Sequence, residues 1–200
     1  MLSALSPAPA RGRAGVRHLM AVPKIATLAA DSRLLRIARQ HLGSGAIPFR
    51  ATLFEKSAQT NWLIPWHQDT ALPLTTKFDS AEWTAWSQKE GRLYAHAPAW
   101  ALSRVIALRV HLDASTAENG PLRVLPHSQE AGVLSDHAIL DYANGHQSVA
   151  CLVPQGGVLA MRPLLIHSSS KGRTAAPRRV LHIEYSDSLD LTPAVRLAVV

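Results

Sequence analysis

The sequence predicts a mainly β protein with flanking helices, built as a sandwich, a barrel or a jelly roll. Three observations support this fold class. An amphipathic helix near the N-terminus is followed by several short segments that are apolar or alternate between apolar and polar residues. The turn-forming sequence ENGPL occupies 118–122, between two of these segments. No glycine-rich loop opens a helix, so nothing favours a dinucleotide or P-loop phosphate site.

Length and composition indicate one domain over residues 1–200. The chain is 47% hydrophobic and 18% charged, and its net charge of +7 comes mostly from arginines spread along the sequence. A basic helix, an aromatic-basic RNA-binding pattern and a cysteine–histidine finger are all missing, which predicts no nucleic-acid partner. A small anionic substrate is compatible with the same charge. No feature of the sequence favours a particular oligomeric state.

Cysteine and hydropathy patterns favour a cytoplasmic protein. Cys151 is the only cysteine, so no internal disulfide can form, and its apolar neighbours favour a buried, unreactive thiol. No apolar run approaches the roughly 20 residues of a membrane-spanning helix. Residues 1–15 lack the hydrophobic core of a secretory signal and are rich in Ala, Pro, Gly and Arg, which predicts disorder.

The predicted helix lies within residues 28–45. Asp31 can cap its N-terminus, an apolar stripe includes Leu34 and Ala38, and Gly43 suits its C-terminal end.

Strands are expected in the remainder of the chain, at 49–57, 105–113, 122–126, 151–154, 157–167 and 178–186. In 105–113 the alternation is clean, and it places Arg109, His111 and Asp113 on one face. The polar, tryptophan-containing segment 76–100 is too long for a simple turn and is interpreted as a lid or a substrate-lining insertion.

The segment NWLIPWHQDT, residues 61–70, combines a histidine and a carboxylate in an apolar setting. In a strand, His67 and Asp69 would point to the same side and Gln68 away from it. Such a pair suits Fe(II), Mn(II) or Zn(II), and a second histidine would complete a two-histidine, one-carboxylate site. A structural pair is the alternative. His111 and Asp113 form a second pair with the same spacing, and periodicity does not choose between them.

A further histidine, His167, ends the apolar segment 157–167, and Arg178 opens the next strand. If the two strands form an antiparallel hairpin, Arg178 returns close to the level of His167. A guanidinium there could hold a carboxylate one small molecule away from a metal, which suits a dicarboxylic keto acid. The alternative is a core histidine followed by a solvated arginine pair.

Taken together, the segments LFEKSAQTNWLIPWHQD, IALRVHLDASTAENGPLRVLPHS and GGVLAMRPLLIHSSSKGRTAAPRRVLHIEY resemble the phytanoyl-CoA dioxygenase family. The resemblance extends from about residue 30 to residue 186. It implies a double-stranded β-helix (a cupin-like jelly roll) and an Fe(II)- and 2-oxoglutarate-dependent dioxygenase. It also assigns His111 and Asp113 to a position that binds no metal.

Residue by residue, the resemblance implies that His67, Asp69 and His167 bind Fe(II). Arg178 would bind the far carboxylate of 2-oxoglutarate with help from Ser169. Polar residues near this cosubstrate would be Lys56 and Asn61, and Trp83 or Trp86 would line the substrate side. Pro65, with Trp62 and Trp66, is expected to form a wall that keeps the iron site dry.

The expected activity is hydroxylation of a small organic substrate with O2, during which 2-oxoglutarate is decarboxylated to succinate. A carboxylate at Asp69 favours hydroxylation, because related halogenating enzymes have Ala or Gly there. Two alternatives are a redox-silent cupin-type metal enzyme and a non-catalytic binding domain on the same fold. The second alternative arises because family members usually carry more chain before the first helix.

Overall fold

The structure is a computed structural model that describes residues 15–174 and 176–200. The disorder predicted for residues 1–15 therefore lies outside the described residues, except at Gly15, which begins the first strand. Within the described ranges, none of the helices combines the length and the apolar character needed to cross a lipid bilayer.

The described residues contain four α-helices and fourteen strands. The helices are α1 Pro23–Ala29, α2 Ser32–Leu42, α3 Ala99–Leu102 and α4 Asp136–Gly145. The strands are β1 Gly15–Val16, β2 Ile47–Lys56, β3 Ile64–His67, β4 Ala71–Leu74, β5 Thr84–Lys89, β6 Arg92–His96, β7 Val105–His111, β8 Leu122–Val124, β9 Val149–Cys151, β10 Val158–Met161, β11 His167–Ser169, β12 Arg178–Ser186, β13 Asp190–Thr192 and β14 Val195–Arg196.

Two antiparallel sheets form the framework. The major sheet has the order β1-β2-β12-β7-β10, and the minor sheet has the order β3-β11-β8-β9. The chain crosses between the sheets several times after β7: β7, β10 and β12 lie in the major sheet, whereas β8, β9 and β11 lie in the minor one. This arrangement is a double-stranded β-helix, and it confirms the predicted mainly β class with flanking helices.

Helix α2 forms where its sequence pattern predicts it. The Asp31 side chain accepts a hydrogen bond from the Arg33 amide at 2.9 Å, and Gly43 follows the last turn with a φ of 83°. Leu34 and Ala38 are buried against the outer face of the major sheet, where they join Leu108 and Leu181 in one core cluster. The helix therefore covers the outside of the sheet and leaves its inner face to the site.

The segment 157–167 is two strands rather than the single strand that its apolar pattern predicts. Strand β10 pairs with β7 in the major sheet, whereas β11 pairs with β3 and β8 in the minor sheet. Pro163 lies in the connection between them, and a proline cannot donate a backbone hydrogen bond to a strand ladder. The break lets the chain cross from one sheet to the other.

The sequence suggested that His167 and Arg178 lie on one antiparallel hairpin. In the structure they do not, because their strands belong to different sheets. Strand β12 pairs with β2 and β7. The two residues come together because the sheets face each other, with β11 on one side of the interior and β12 on the other.

The segment 76–100 contains the hairpin of β5 and β6, which extends β4 into a three-stranded sheet. Trp83 is only 2% exposed and belongs to a core cluster with Leu72, Leu102 and Val105. Much of the segment is therefore packed structure, and its role as a lid stays a prediction.

Candidate active site

The two histidines of the site face each other across strands β3 and β11. Their register places His67 directly opposite His167, and the ring centroids are 4.1 Å apart. Side chains that lie directly opposite on antiparallel strands share one face of the sheet. Residues a hundred positions apart in the sequence thus become neighbours.

Asp69 follows β3 and lies beside both imidazoles. Its carboxylate oxygens lie 3.8 Å from His67 Nε2 and 3.6 Å from His167 Nε2. The Asp69 amide donates to the Pro163 carbonyl at 2.9 Å, which fixes the backbone just beyond the strand. The candidate ligand atoms of all three residues lie within 4.8 Å of one another.

Gln68 points away from this cluster, as the alternation predicts. Its amide nitrogen donates to the carbonyls of Gly132 and Leu164, each at 2.8 Å, and its oxygen accepts from the Leu134 amide at 2.9 Å. The side chain therefore ties β3 to two loops of the minor sheet and holds the flanking pair in place.

The tautomers of both histidines follow from their backbone contacts. His67 Nδ1 lies 2.8 Å from the Pro65 carbonyl oxygen, and His167 Nδ1 lies 2.8 Å from the Leu165 carbonyl oxygen. A carbonyl can only accept, so each Nδ1 carries a proton, and Nε2 is left as the nitrogen of each ring that can bind a metal. Partners of this kind orient metal-binding histidines in known sites.

Electrostatics favour the protonation states that a divalent cation requires. Burial lowers the pKa of His167 to about 4, against a smaller opposing effect of Asp69, so the ring is neutral at pH 7. Burial alone would raise the pKa of Asp69, but nearby His167, His182, His67 and Arg50 hold it well below its usual range. Two imidazoles and one carboxylate are a donor set that suits Fe(II), so the residues present fit this metal.

A cluster of cations lies further along the same cavity. Arg178 is 4% exposed and Lys56 also 4%, and the two residues are directly opposite each other on β12 and β2. Both donate to Ser169 Oγ, Lys56 Nζ at 2.7 Å and Arg178 Nη2 at 3.3 Å, while this hydroxyl donates to the Gly120 carbonyl. Like charges directly opposite each other are unfavourable.

The pKa values of both cations reflect this crowding. Burial and the neighbouring Arg178 lower the pKa of Lys56 to about 8. Burial and Arg109 lower the pKa of Arg178 to about 10, and its Nε is buried without a hydrogen-bond partner. The arrangement leaves room for an anionic group that would pair with Arg178.

The ENGPL turn explains how the chain closes around these cations. Gly120 has a φ of +69°, and a side chain at this position would collide with the backbone of Ser170. Only glycine allows the turn to approach β11 so closely.

The cavity contains both clusters. Among the described residues, its lining is Phe54, Glu55, Lys56, Trp62, Ile64, His67, Asp69, Arg109, Leu122, His167, Ser168, Ser169 and Arg178. Six of the seven predicted site residues are therefore brought together. The seventh, Asn61, lies outside the lining and forms two hydrogen bonds with the Gly172 backbone, so its role near the cosubstrate stays a prediction.

The predicted tryptophan wall is only partly present. Trp62 lines the cavity, but Trp66 packs outside the minor sheet against Leu125, Ile139 and Ile166. Neither Trp83 nor Trp86 lines the cavity. Cys151 is half-buried, and burial raises the pKa of its thiol.

The rival pair, His111 and Asp113, is structural. Arg179 engages the Asp113 carboxylate through its amide and two guanidinium nitrogens, at 2.9, 2.7 and 2.7 Å. His111 is 2% exposed, and neither ring nitrogen has a partner. A carboxylate committed to a neighbouring arginine is not available to a metal.

We expect protonation of His111 to weaken the folded state at acid pH. Burial, with Arg109 and Arg178, lowers its pKa from 6.5 to about 4. Below pH 6.5 the unfolded chain takes up a proton that the folded protein does not. This lowers the free energy of unfolding by about 1.4 kcal/mol per pH unit until the folded pKa is reached.

The measurement is denaturant unfolding of wild type and His111→Leu at pH 7 and pH 5. The variant should lose less stability between these pH values than the wild type does. His41→Leu, which changes an exposed histidine, is the control. Equal losses in His111→Leu and wild type would contradict the expectation.

A double-stranded β-helix that brings two histidines and a carboxylate close to a buried arginine is typical of Fe(II)- and 2-oxoglutarate-dependent oxygenases. The sequence profile of the phytanoyl-CoA dioxygenase (PhyH) family matches residues 8–180. The chain therefore belongs to this family, which uses Fe(II), 2-oxoglutarate and O2.

Among curated proteins, the chain is similar to L-proline trans-4-hydroxylase of Streptomyces griseoviridis. The identity is 28% over 179 aligned positions, which cover 76% of this chain and 59% of that enzyme. The chain thus spans less than two thirds of the length of this relative.

Solved structures share the fold. AviO1 of Streptomyces viridochromogenes has a TM-score of 0.63 at 22% identity, and the comparison covers 96% of this chain and 74% of AviO1. EctD of S. alaskensis, solved with 2-oxoglutarate and 5-hydroxyectoine, has a TM-score of 0.66 at 22% identity. That comparison covers 92% of this chain and 62% of EctD.

Proposed function

We propose that this protein is an Fe(II)- and 2-oxoglutarate-dependent dioxygenase that hydroxylates a small organic substrate. The observation that carries the proposal is the meeting of His67, Asp69 and His167 with Arg178 in one cavity. A redox-silent metal site has no need for a buried arginine in the same cavity as the metal ligands.

In this proposal, His67 Nε2, His167 Nε2 and one Asp69 oxygen hold Fe(II). The bound metal and 2-oxoglutarate supply the oxidising chemistry, with succinate and CO2 as products of the cosubstrate. All other contributions come from the chain, which binds, orients and shields the reacting groups.

The basic end of the cavity orients the cosubstrate. Arg178 presents a buried guanidinium with an unpartnered Nε, and Ser169 lies within hydrogen-bond reach of both Arg178 and Lys56. A carboxylate bound there would relieve the repulsion between the two cations. Its charge-assisted bonds are roughly twice as strong as neutral ones.

The apolar lining limits the access of water. Phe54, Trp62, Ile64 and Leu122 contribute side chains around the polar groups of the cavity. Interactions between charges are stronger where water is excluded.

For the substrate and the cellular compartment, we propose only a general class. The similarity to a proline hydroxylase and an ectoine-hydroxylating fold relative supports a small, polar organic substrate. The net charge of +7 is compatible with an anionic one. A reducing, cytoplasmic environment is proposed from the single Cys151.

The test is anaerobic addition of Fe(II) and 2-oxoglutarate to the purified protein. The expected result is a weak visible metal-to-ligand charge-transfer band that saturates with 2-oxoglutarate, followed by succinate formation when O2 is admitted. A protein that binds Zn(II) but gives no band with Fe(II) and 2-oxoglutarate would be a redox-silent metal protein, and the proposal would be wrong.

A further inference from the structure

Arg109 is a charged side chain in the centre of the major sheet. It is 5% exposed, lies on β7 and contributes to the cavity lining together with Asp69, His167 and Arg178. Its guanidinium carbon lies 5.5 Å from the centre of the Phe54 ring, which supports one face of the planar group. The side chain therefore has a defined orientation at the cavity wall.

The hydrogen bonding of Arg109 is incomplete. Nη1 lies 3.1 Å from His182 Nδ1, and Nε is buried without a partner. In the described part of the chain, no carboxylate forms an ion pair with Arg109. A buried charge without a counter-charge is costly unless a ligand supplies one.

The nearest carboxylates are already engaged. Glu184 accepts from His182 Nε2 at 3.2 Å and forms an ion pair with Arg50, also at 3.2 Å. Glu184 thus contacts Arg50 directly and is connected to Arg109 only through the His182 imidazole. Asp69, which attracts Arg109 electrostatically, is a candidate metal ligand and would be compensated by the cation.

Arg109 also interacts electrostatically with both ends of the cavity. It lowers the pKa of Arg178 at the basic end and, more weakly, that of His167 beside the candidate metal ligands. A ligand that extends between these ends would pass along the cavity wall to which Arg109 contributes.

We propose that Arg109 is a second carboxylate anchor of the cavity and binds the keto-acid end of 2-oxoglutarate, while Arg178 binds the opposite carboxylate. This inference rests on the proposed function. It makes Arg109 a binding residue that sets the orientation of the cosubstrate at both ends, and it requires a ligand with two carboxylates.

The test uses the full chain with Fe(II) under anaerobic conditions, titrated with 2-oxoglutarate while the charge-transfer band is recorded. Arg109→Gln should weaken 2-oxoglutarate binding roughly tenfold to a hundredfold, as expected for the loss of a charge-assisted bond. It should also shift the absorption maximum, because the band reports on the keto-acid group. Arg178→Gln should weaken binding without this shift.

Arg109→Lys retains a charge, and it should recover part of the affinity and provide a second folded variant. Arg123→Gln, which changes an exposed arginine on β8, is the control and should match the wild type. Far-ultraviolet circular dichroism and melting temperature verify folding of each variant.

Wild-type affinity together with an unshifted band in Arg109→Gln and Arg109→Lys would overturn this inference and leave the proposed function standing. Absence of the band in the wild type would overturn both.

Discussion

Asp69→Ala is expected to weaken the Fe(II)–2-oxoglutarate band strongly and to abolish the hydroxylation that depends on the metal. The substitution removes the only carboxylate in the cluster of candidate ligands and leaves the two imidazoles. Partners that only orient metal ligands typically cost 10- to 100-fold in metal affinity or activity when they are lost. Loss of a metal ligand itself should therefore lower Fe(II) affinity by more than about 100-fold.

The same result is expected for His167→Ala, because this ring provides the buried nitrogen of the site. Fe(II) affinity, measured by competition with a chelator, and the intensity of the band are the two readouts. Both should fall together in the two variants, while circular dichroism should show an unchanged overall secondary structure.

Asp113→Ala is the matched control for Asp69→Ala. It removes the carboxylate of the other His-x-Asp pair, which Arg179 engages at 2.7 Å. We expect a lower melting temperature with unchanged Fe(II) affinity and an unchanged band. If Asp113→Ala loses the band and Asp69→Ala keeps it, the assignment of the metal ligands is wrong.

The comparison of the two pairs shows what local sequence can and cannot predict. His67 with Asp69 and His111 with Asp113 have the same spacing, and both lie on or next to strands. They differ in partners that are distant along the chain. His167 lies opposite His67, whereas Arg179 engages Asp113 from 66 residues away. Spacing alone carries no information about such contacts.

The sequence predicts an element well when all the residues that define it lie close together in the chain. Helix α2 has its cap, apolar stripe and terminal glycine within a few residues of sequence. The sequence pattern predicts one strand over 157–167, and Pro163 is the one local signal against it. The break depends on which sheet each half joins, and this is decided by strands elsewhere in the chain.

Arg109 was predicted on the polar face of its strand but not as part of the site. In a sheet with one solvated face, such a residue would be exposed. Here the minor sheet covers that face, and Arg109 becomes 5% exposed. An arginine in the middle of a largely apolar strand is the available signal. Its meaning depended on whether a second sheet lay above it.

Arg178→Gln is the second substitution for which we expect a large effect. The guanidinium is 4% exposed and has one long hydrogen bond, 3.3 Å to Ser169 Oγ, so its remaining donors are available to a ligand. In the proposed function they bind the far carboxylate of 2-oxoglutarate. Glutamine keeps a neutral donor but loses the charge and the bidentate geometry.

We expect the dissociation constant of 2-oxoglutarate to rise by roughly 100-fold, as for loss of a charge-assisted pair worth about 3 kcal/mol. Fe(II) affinity in the absence of 2-oxoglutarate should remain at the wild-type value, because Arg178 is not among the candidate metal ligands. Isothermal titration with and without the cosubstrate separates these two effects.

Arg179→Gln provides the control, since the neighbouring side chain points to the opposite face of β12 and pairs with Asp113. It should lower the melting temperature and leave 2-oxoglutarate binding unchanged. The reverse pattern, with affinity lost in Arg179→Gln and retained in Arg178→Gln, would mean that the cosubstrate carboxylate does not enter between the two sheets. Neighbouring residues of one strand face opposite sides of the sheet. This pair of variants therefore tests on which side of β12 the cosubstrate carboxylate binds, with the same loss of one positive charge in each variant.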